Sequence, residues 1–177
     1  DGAAGPACAR QRLRALRGAA QEWRDGTWVR RAGFSGRELS WFPDPIGARD
    51  CYRADLAEPL VLVDAFPDVQ RVSARLAASP RDRVLAPLPV LVGPPEEGGP
   101  GAARVELRGT RDGRREIVVY GVFDRPGVAA AGTAAVIALA LAADAAAPGS
   151  HGAAGSRDPT PILRELARRG VDPARQH

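Results

Sequence analysis

Ala103-Arg104-Val105-Glu106-Leu107-Arg108-Gly109-Thr110-Arg111-Asp112-Gly113-Arg114-Arg115-Glu116-Ile117-Val118-Val119-Tyr120-Gly121-Val122-Phe123 is the stretch on which the fold turns. Arg104 to Arg108 alternates apolar and charged residues, the pattern of a strand with one wet face and one buried face. In Arg111-Asp112-Gly113, the Asp-Gly step supplies the positive φ of a tight hairpin turn. Ile117 to Phe123 is a continuous β-branched and aromatic run. It predicts a central strand covered on both faces. Asp124-Arg125-Pro126-Gly127 ends that strand. Val128 to Ala147 has almost no polar position before Asp144, so it predicts an alanine-rich helix buried on all sides.

The hairpin and helix set the class for the rest of the chain. The expected fold is α+β: a mixed, mostly antiparallel sheet, a long buried Ala-rich helix, and flanking helices on one face. At 177 residues the chain suits one core better than two. Residues 1–177 are therefore read as a single domain. Residues 1–6 are a disordered start, 94–102 a flexible loop, and 148–157 a glycine-rich loop. Aromatics are 5% of the chain and much of its apolar content is alanine. Such a core needs small side chains and closely spaced elements.

N-terminal to the hairpin the signals are weaker. Ala7 to Arg24 reads as one amphipathic helix, with Leu13, Leu16, Ala20 and Trp23 on a stripe and Asp25-Gly26 as its stop. Thr27 to Arg30 and Glu38 to Phe42 read as the two strands of a loose hairpin. Pro43-Asp44-Pro45-Ile46-Gly47 reads as a rigid, extended connector, since each proline fixes its own φ and restricts its predecessor. Leu60 to Val63 reads as a short buried strand, and Val69 to Ala77 as an irregular one. C-terminal to the long helix, Thr160 and Pro161 start a last helix that carries Ile162, Leu163 and Leu166 and ends at Gly170.

Composition narrows the functional classes. The chain contains no lysine, so all 25 basic residues are arginine, a bias expected of a GC-rich bacterial genome. The net charge is only +4, because 21 acidic residues are interleaved. Arg10, Arg12, Arg14, Arg17 and Arg24 carry no interleaved aromatics for base stacking, so they read as a solvated face and not as a nucleic-acid interface. Cys8 and Cys51 are far apart and the chain has two histidines, which gives no metal site and suggests cytoplasmic thiols. The apolar helix is shorter than the roughly 20 residues a bilayer needs, so no membrane partner is expected. Neither a basic n-region nor an apolar leader follows Asp1. With no Met anywhere, the chain is expected to be a fragment or a processed product.

No GxGxxG follows a strand, no Walker loop is present, and there is no GxSxG elbow. The chain is thus expected to have no dinucleotide-binding or catalytic motif of its own. The candidate ligand-facing residues are Arg49, Asp50 and Tyr52, which follow the proline-rich segment, because binding groups often sit on stiff loops. A surface turn with a local Arg–Asp pair is the plainer alternative. His151 in the glycine loop is the one imidazole in a structured context.

The order of features resembles the C-terminal portion of saccharopine-dehydrogenase-like proteins. Glu116 to Pro126, Ala130-Ala131-Gly132-Thr133-Ala134-Ala135, Pro148-Gly149-Ser150-His151-Gly152, Asp158-Pro159, Leu163-Arg164-Glu165-Leu166 and Gly170-Val171 carry the resemblance. Phe42 to Gly47, Tyr52 and Phe66-Pro67-Asp68-Val69 add to it. Together they cover most of residues 27–171. The resemblance implies the substrate-side domain of an NAD(P)-dependent oxidoreductase, with NAD(P) bound by a separate Rossmann domain. It implies a small-molecule substrate, with Arg49, Asp50, Tyr52, Arg125 and His151 as candidate contacts. It also implies that the long helix docks on the Rossmann half. A stand-alone module that pairs with a separate partner or with itself, as a homodimer, is the alternative.

Overall fold

A computed structural model of the chain describes residues 6–80, 82, 99–143, 149, 152–156, 158–171 and 174–176. The fold is α+β, with antiparallel three-stranded sheets. The chain gathers into two compact units. The first comprises residues 1–40, 49–97 and 147–159, and the second residues 41–48, 98–146 and 160–177.

In the first unit, α1 (Pro6–Arg17) is followed by β1 (Ala19–Arg24) and β2 (Thr27–Ala32). The helix expected over residues 7–24 therefore stops seven residues early. Gly18 disfavours continuation of the helix, and its N–H closes the last turn on the Arg14 carbonyl at 2.8 Å. Asp25 and Gly26 have φ of 48° and 81°. Two successive positive φ values make the turn whose twist matches a hairpin, so Asp25-Gly26 joins two strands instead of stopping a helix. Residues 19 to 24 pair with 32 to 27 in register. Ala20 and Trp23, expected on the helix stripe, thus lie on a strand, and the Trp23 indole donates to the Val69 carbonyl at 2.9 Å.

Thr27 to Arg30 is a strand as expected, but its partner is β1. A second hairpin forms from β3 (Glu38–Phe42) and β4 (Gly47–Arg53). The segment Pro43 to Ile46 is its turn and not an extended connector, closed by the Ile46 N–H on the Pro43 carbonyl at 3.0 Å. Two short strands, β5 (Arg71–Val72) and β6 (Arg75–Ala77), complete the sheets β2-β1-β5 and β3-β4-β6. Leu60 to Val63 lies in a helix, α2 (Glu58–Ala65), not in a buried strand. Pro59 in its first turn starts a helix well, and Leu60 and Val61 are exposed. Four apolar residues alone do not distinguish the two periods.

The core of this unit is small. Ala15, Leu16, Ala54 and Ala78 are buried, with Phe34, Tyr52, Leu56 and Leu76 packed around them. Its elements approach at backbone distance. The Gly33 N–H donates to the Gly18 carbonyl at 3.0 Å, and the Asp55 N–H to the Ala15 carbonyl at 2.7 Å. At the other side of α1, Arg12 Nη1 meets Asp82 Oδ1 at 2.8 Å, and Nη2 donates to the Ala77 carbonyl at 2.7 Å.

The second unit is built on β7 (Gly101–Arg111) and β8 (Arg114–Asp124), paired along their whole length from Gly101–Asp124 to Arg111–Arg114. The turn is at Asp112 and Gly113, with φ of 51° and 75°. This is the hairpin the sequence predicts, but the apolar face of β7 is not the buried one: Val105 and Leu107 are exposed, while Arg104 and Glu106, which pair with each other, are half-buried. The segment β9 (Ala174–Gln176) pairs on the far side of β8, which makes β8 central. It is not covered on both faces, however. Ile117, Tyr120 and Phe123 are exposed, Ile117 by 60%.

Two helices follow, α3 (Pro126–Ala142) and α4 (Thr160–Arg168). After α4, Gly170 has φ of 84° and the Val171 N–H reaches back to the Leu166 carbonyl at 3.0 Å, a Schellman closure. Val136, Leu166 and Val171 form the core of this unit, with Val122, Ala129 and Ile162 around them. The expectation that the long helix is buried on all sides is not met. Val136 is its buried residue among those described, while Val128, Leu139 and Leu141 face outward. The helix is apolar all round, but α4 and one end of β8 cover a single stripe of it.

Gly33→Ala is expected to cost about 3 kcal/mol of stability as an overpacking change with backbone on both sides. Its Cβ would lie 2.1 Å from the Leu16 carbonyl oxygen and 2.5 Å from that of Gly18. Gly113→Ala meets open space and strains only its positive φ, for about 1 kcal/mol. Urea unfolding of both variants ranks them. Equal losses contradict the close approach at Gly33.

Candidate functional site

The polar centre of the first unit is Glu22. Strand alternation turns Ala20 and Glu22 to the same inward face of β1, and Glu22 is 1% exposed. Its Oε1 accepts from Arg53 Nε at 2.6 Å and its Oε2 from Arg24 Nε at 3.2 Å. Burial pushes the carboxyl up, but the hydrogen bonds and charges of Arg53 and Arg24 outweigh it and hold Glu22 below the usual carboxylate range. An ionised carboxylate engaged on both oxygens is a structural anchor, and it is a poor general acid at neutral pH.

Arg53 reaches Glu22 from β4, at the end of the strand that carries the candidate residues. Its backbone N–H donates to the Ser35 carbonyl at 3.0 Å, and its carbonyl accepts from the Phe34 N–H at 3.1 Å. The guanidinium lies over Gly36, where a Cβ would come within 2.0 Å of Nη1. Gly36 has φ of 60°, a backbone conformation that favours glycine. Arg75 extends the network with an ion pair to Glu38 at 2.9 Å and a hydrogen bond to the Gly36 carbonyl.

Arg49, Asp50 and Tyr52 all lie on β4, which separates them by strand alternation. Asp50 and Tyr52 share one face, and Arg49 points to the other. Asp50 pairs with Arg37 at 2.9 Å, and that carboxylate raises the Arg37 guanidinium further. The Tyr52 ring packs 5.7 Å from that of Phe34 and against the core. Arg49 is exposed. Arg125 belongs to the second unit, at the N-cap of α3, where its N–H donates to Asp124 Oδ1 at 2.6 Å. His151 lies outside the described residues. The structure therefore brings Asp50 together with Arg37, a residue the sequence does not single out.

Two other features bear on chemistry. Cys51 is buried, and burial raises its thiol above the ordinary range despite a hydrogen bond with Ser40. That environment disfavours the thiolate. A shallow, open hollow at the hairpin turn is lined by Arg111, Asp112, Arg114, Arg115 and Glu116. Among the described residues no cluster of His, Cys, Asp and Glu gathers as a metal site, and no helix is long and apolar enough to cross a membrane. Of the arginines read as a solvated patch, Arg12 and Arg24 are engaged with Asp82 and Glu22.

The Glu22–Arg53 pair escapes sequence reasoning because the apolar stripe of residues 13 to 23 puts Glu22 on a helix. The Asp25-Gly26 step between Ala19 to Arg24 and Thr27 to Arg30 is the signal that finds it. No family model matches the chain, and no curated protein matches its sequence.

Glu22→Gln is expected to destabilise the protein by about 3 kcal/mol, because it leaves two arginines facing an uncharged amide in a buried site. The native carboxyl is lowered, so its contribution is full above the unfolded-state value. It is lost as pH falls from about 4.3 through the depressed native value. Chemical denaturation from pH 7 to pH 3 should therefore show the wild type losing its advantage over Glu22→Gln as the pH drops. A constant difference across that range contradicts the assignment.

Proposed function

We propose that this chain is the substrate-side domain of a saccharopine-dehydrogenase-like, NAD(P)-dependent oxidoreductase, and that its second unit docks on a dinucleotide-binding Rossmann domain. The observation that supports the reading is the apolar surface left uncovered on the resemblance-bearing segment. Ile117 and Phe123 on one face of β8, Tyr120 on the other, and Val128, Leu139 and Leu141 of α3 are all exposed. Each such side chain gains roughly 1 kcal/mol when its exposed half is covered. A surface of this kind marks an interaction site more often than a solvated face.

In this reading the nicotinamide chemistry belongs to the Rossmann domain. This chain supplies the docking surface and substrate contacts. Arg125, at the end of β8 and the start of α3, is the leading contact for an anionic small molecule. Arg49 and Asp50 on β4, and His151, are further candidates. Tyr52 is the weakest, since its ring is engaged in the core. A stand-alone module that pairs with a separate protein or with itself is the second reading, and the same exposed side chains favour it.

The gene separates the two. Upstream of the codon for Asp1, the first reading expects an open frame encoding a strand, a GxGxxG turn and a helix. A stop codon and ribosome-binding site directly before Asp1 contradict it and leave the stand-alone module.

A further inference from the structure

The sheet of the second unit has an open edge as well as an uncovered face. Its strand order is β7-β8-β9, so β7 is an edge strand among the described residues. At 11 residues it is long for an edge. Natural proteins usually blunt such edges, because unpaired N–H and C=O groups template the addition of another strand. Val105 and Leu107 on β7 are 54% and 57% exposed and share one face. The opposite face carries Arg104, Glu106 and Arg108, where Glu106 is held between the two arginines.

The spacing of these charges makes the edge self-complementary. In an antiparallel pair, the positions of directly opposed residues sum to a constant, and opposed residues share a face. A twofold axis at Glu106 would set Glu106 against Glu106, and Arg104 against Arg108, all like charges. A twofold axis at Leu107 sets Glu106 against Arg108 of the second copy twice, and Leu107 against Leu107. It also sets Arg104 against Thr110 on the same face. The apolar face of each hairpin, with Val105 and Leu107, then continues into the other. An axis at Leu107 also keeps the pairing away from Gly101, where Pro126 crowds the backbone within 2.6 Å of a Cβ position.

We propose that two copies of this chain associate by antiparallel pairing of their β7 strands about a twofold axis at Leu107. The occupant of the edge is a second copy because the Glu106-Leu107-Arg108 charge order complements itself in that register. The inference does not rest on the oxidoreductase reading, which concerns the uncovered faces of β8 and α3.

Light scattering on the purified chain tests it. The wild type is expected at twice the 18.6 kDa chain mass, with a concentration-dependent equilibrium. E106R makes each of the two symmetric pairs arginine against arginine, and R108E makes each of them glutamate against glutamate. Either variant should weaken the dimer about tenfold or more, since both pairs turn repulsive. Mixing the two variants should restore association as a heterodimer, because every opposed pair is again of opposite sign. Far-UV circular dichroism checks that both fold. The Arg108 side chain is 69% exposed, so R108E keeps the test standing should E106R unfold. A wild type that stays monomeric at every concentration overturns the proposal. So does a dimer that neither variant weakens, or two folded, dissociated variants that fail to associate when mixed.

Discussion

The first unit depends on one buried carboxylate. Glu22 comes from β1 and Arg53 from β4, so their 2.6 Å contact ties two separate three-stranded sheets together. A charge buried in a small-residue core is costly unless both oxygens are engaged. Here both are, by Arg53 and by Arg24. Much of the local backbone serves that arrangement. Gly36 makes room for the guanidinium, and Ser35 and Phe34 fix the Arg53 backbone. The hairpin turn at Asp25-Gly26 sets the register that points Glu22 inward. With so few large apolar side chains buried, ordering by a polar network takes a share of the work that aromatic packing does elsewhere.

The second unit is organised on the opposite principle. Its core is Val136, Leu166 and Val171 with a few partly buried neighbours, against a longer roll of apolar side chains that face outward. In that core α3 meets Val171 at ordinary van der Waals distance, with a Cβ position at Gly132 3.7 Å from its Cγ2. The remaining surface of α3 has the composition of an interior helix without an interior around it. The proposal that this unit docks on a partner domain follows from that imbalance between composition and burial, whereas the β7 edge rests on its own charge order.

The sequence is most legible where a single principle dominates. Asp112-Gly113 between two strand patterns marks the long hairpin with its turn in place, and Thr160-Pro161 and Gly170 bound the last helix. It is least legible where two signals compete. Leu13, Leu16, Ala20 and Trp23 fit a helical stripe, yet Gly18 and the Asp-Gly turn convert its second half to a strand. Leu60 to Val63 is apolar and β-branched, but Pro59 starts a helix over it. Among the candidate residues, adjacency groups Arg49, Asp50 and Tyr52, and strand alternation then divides them. Arg37 and Arg53, which pair with Asp50 and Glu22, stand among many arginines with nothing local to single them out.

Native-state hydrogen exchange on the purified chain tests the contrast between the two units most directly. Amides of β1 and β4 at Glu22 and Arg53 are expected to exchange slowest, near the rate of global unfolding. Amides of α3, whose helix lacks cover on most of its surface, are expected to exchange much faster through local opening. Protection in α3 equal to that of β1 and β4 would contradict the account.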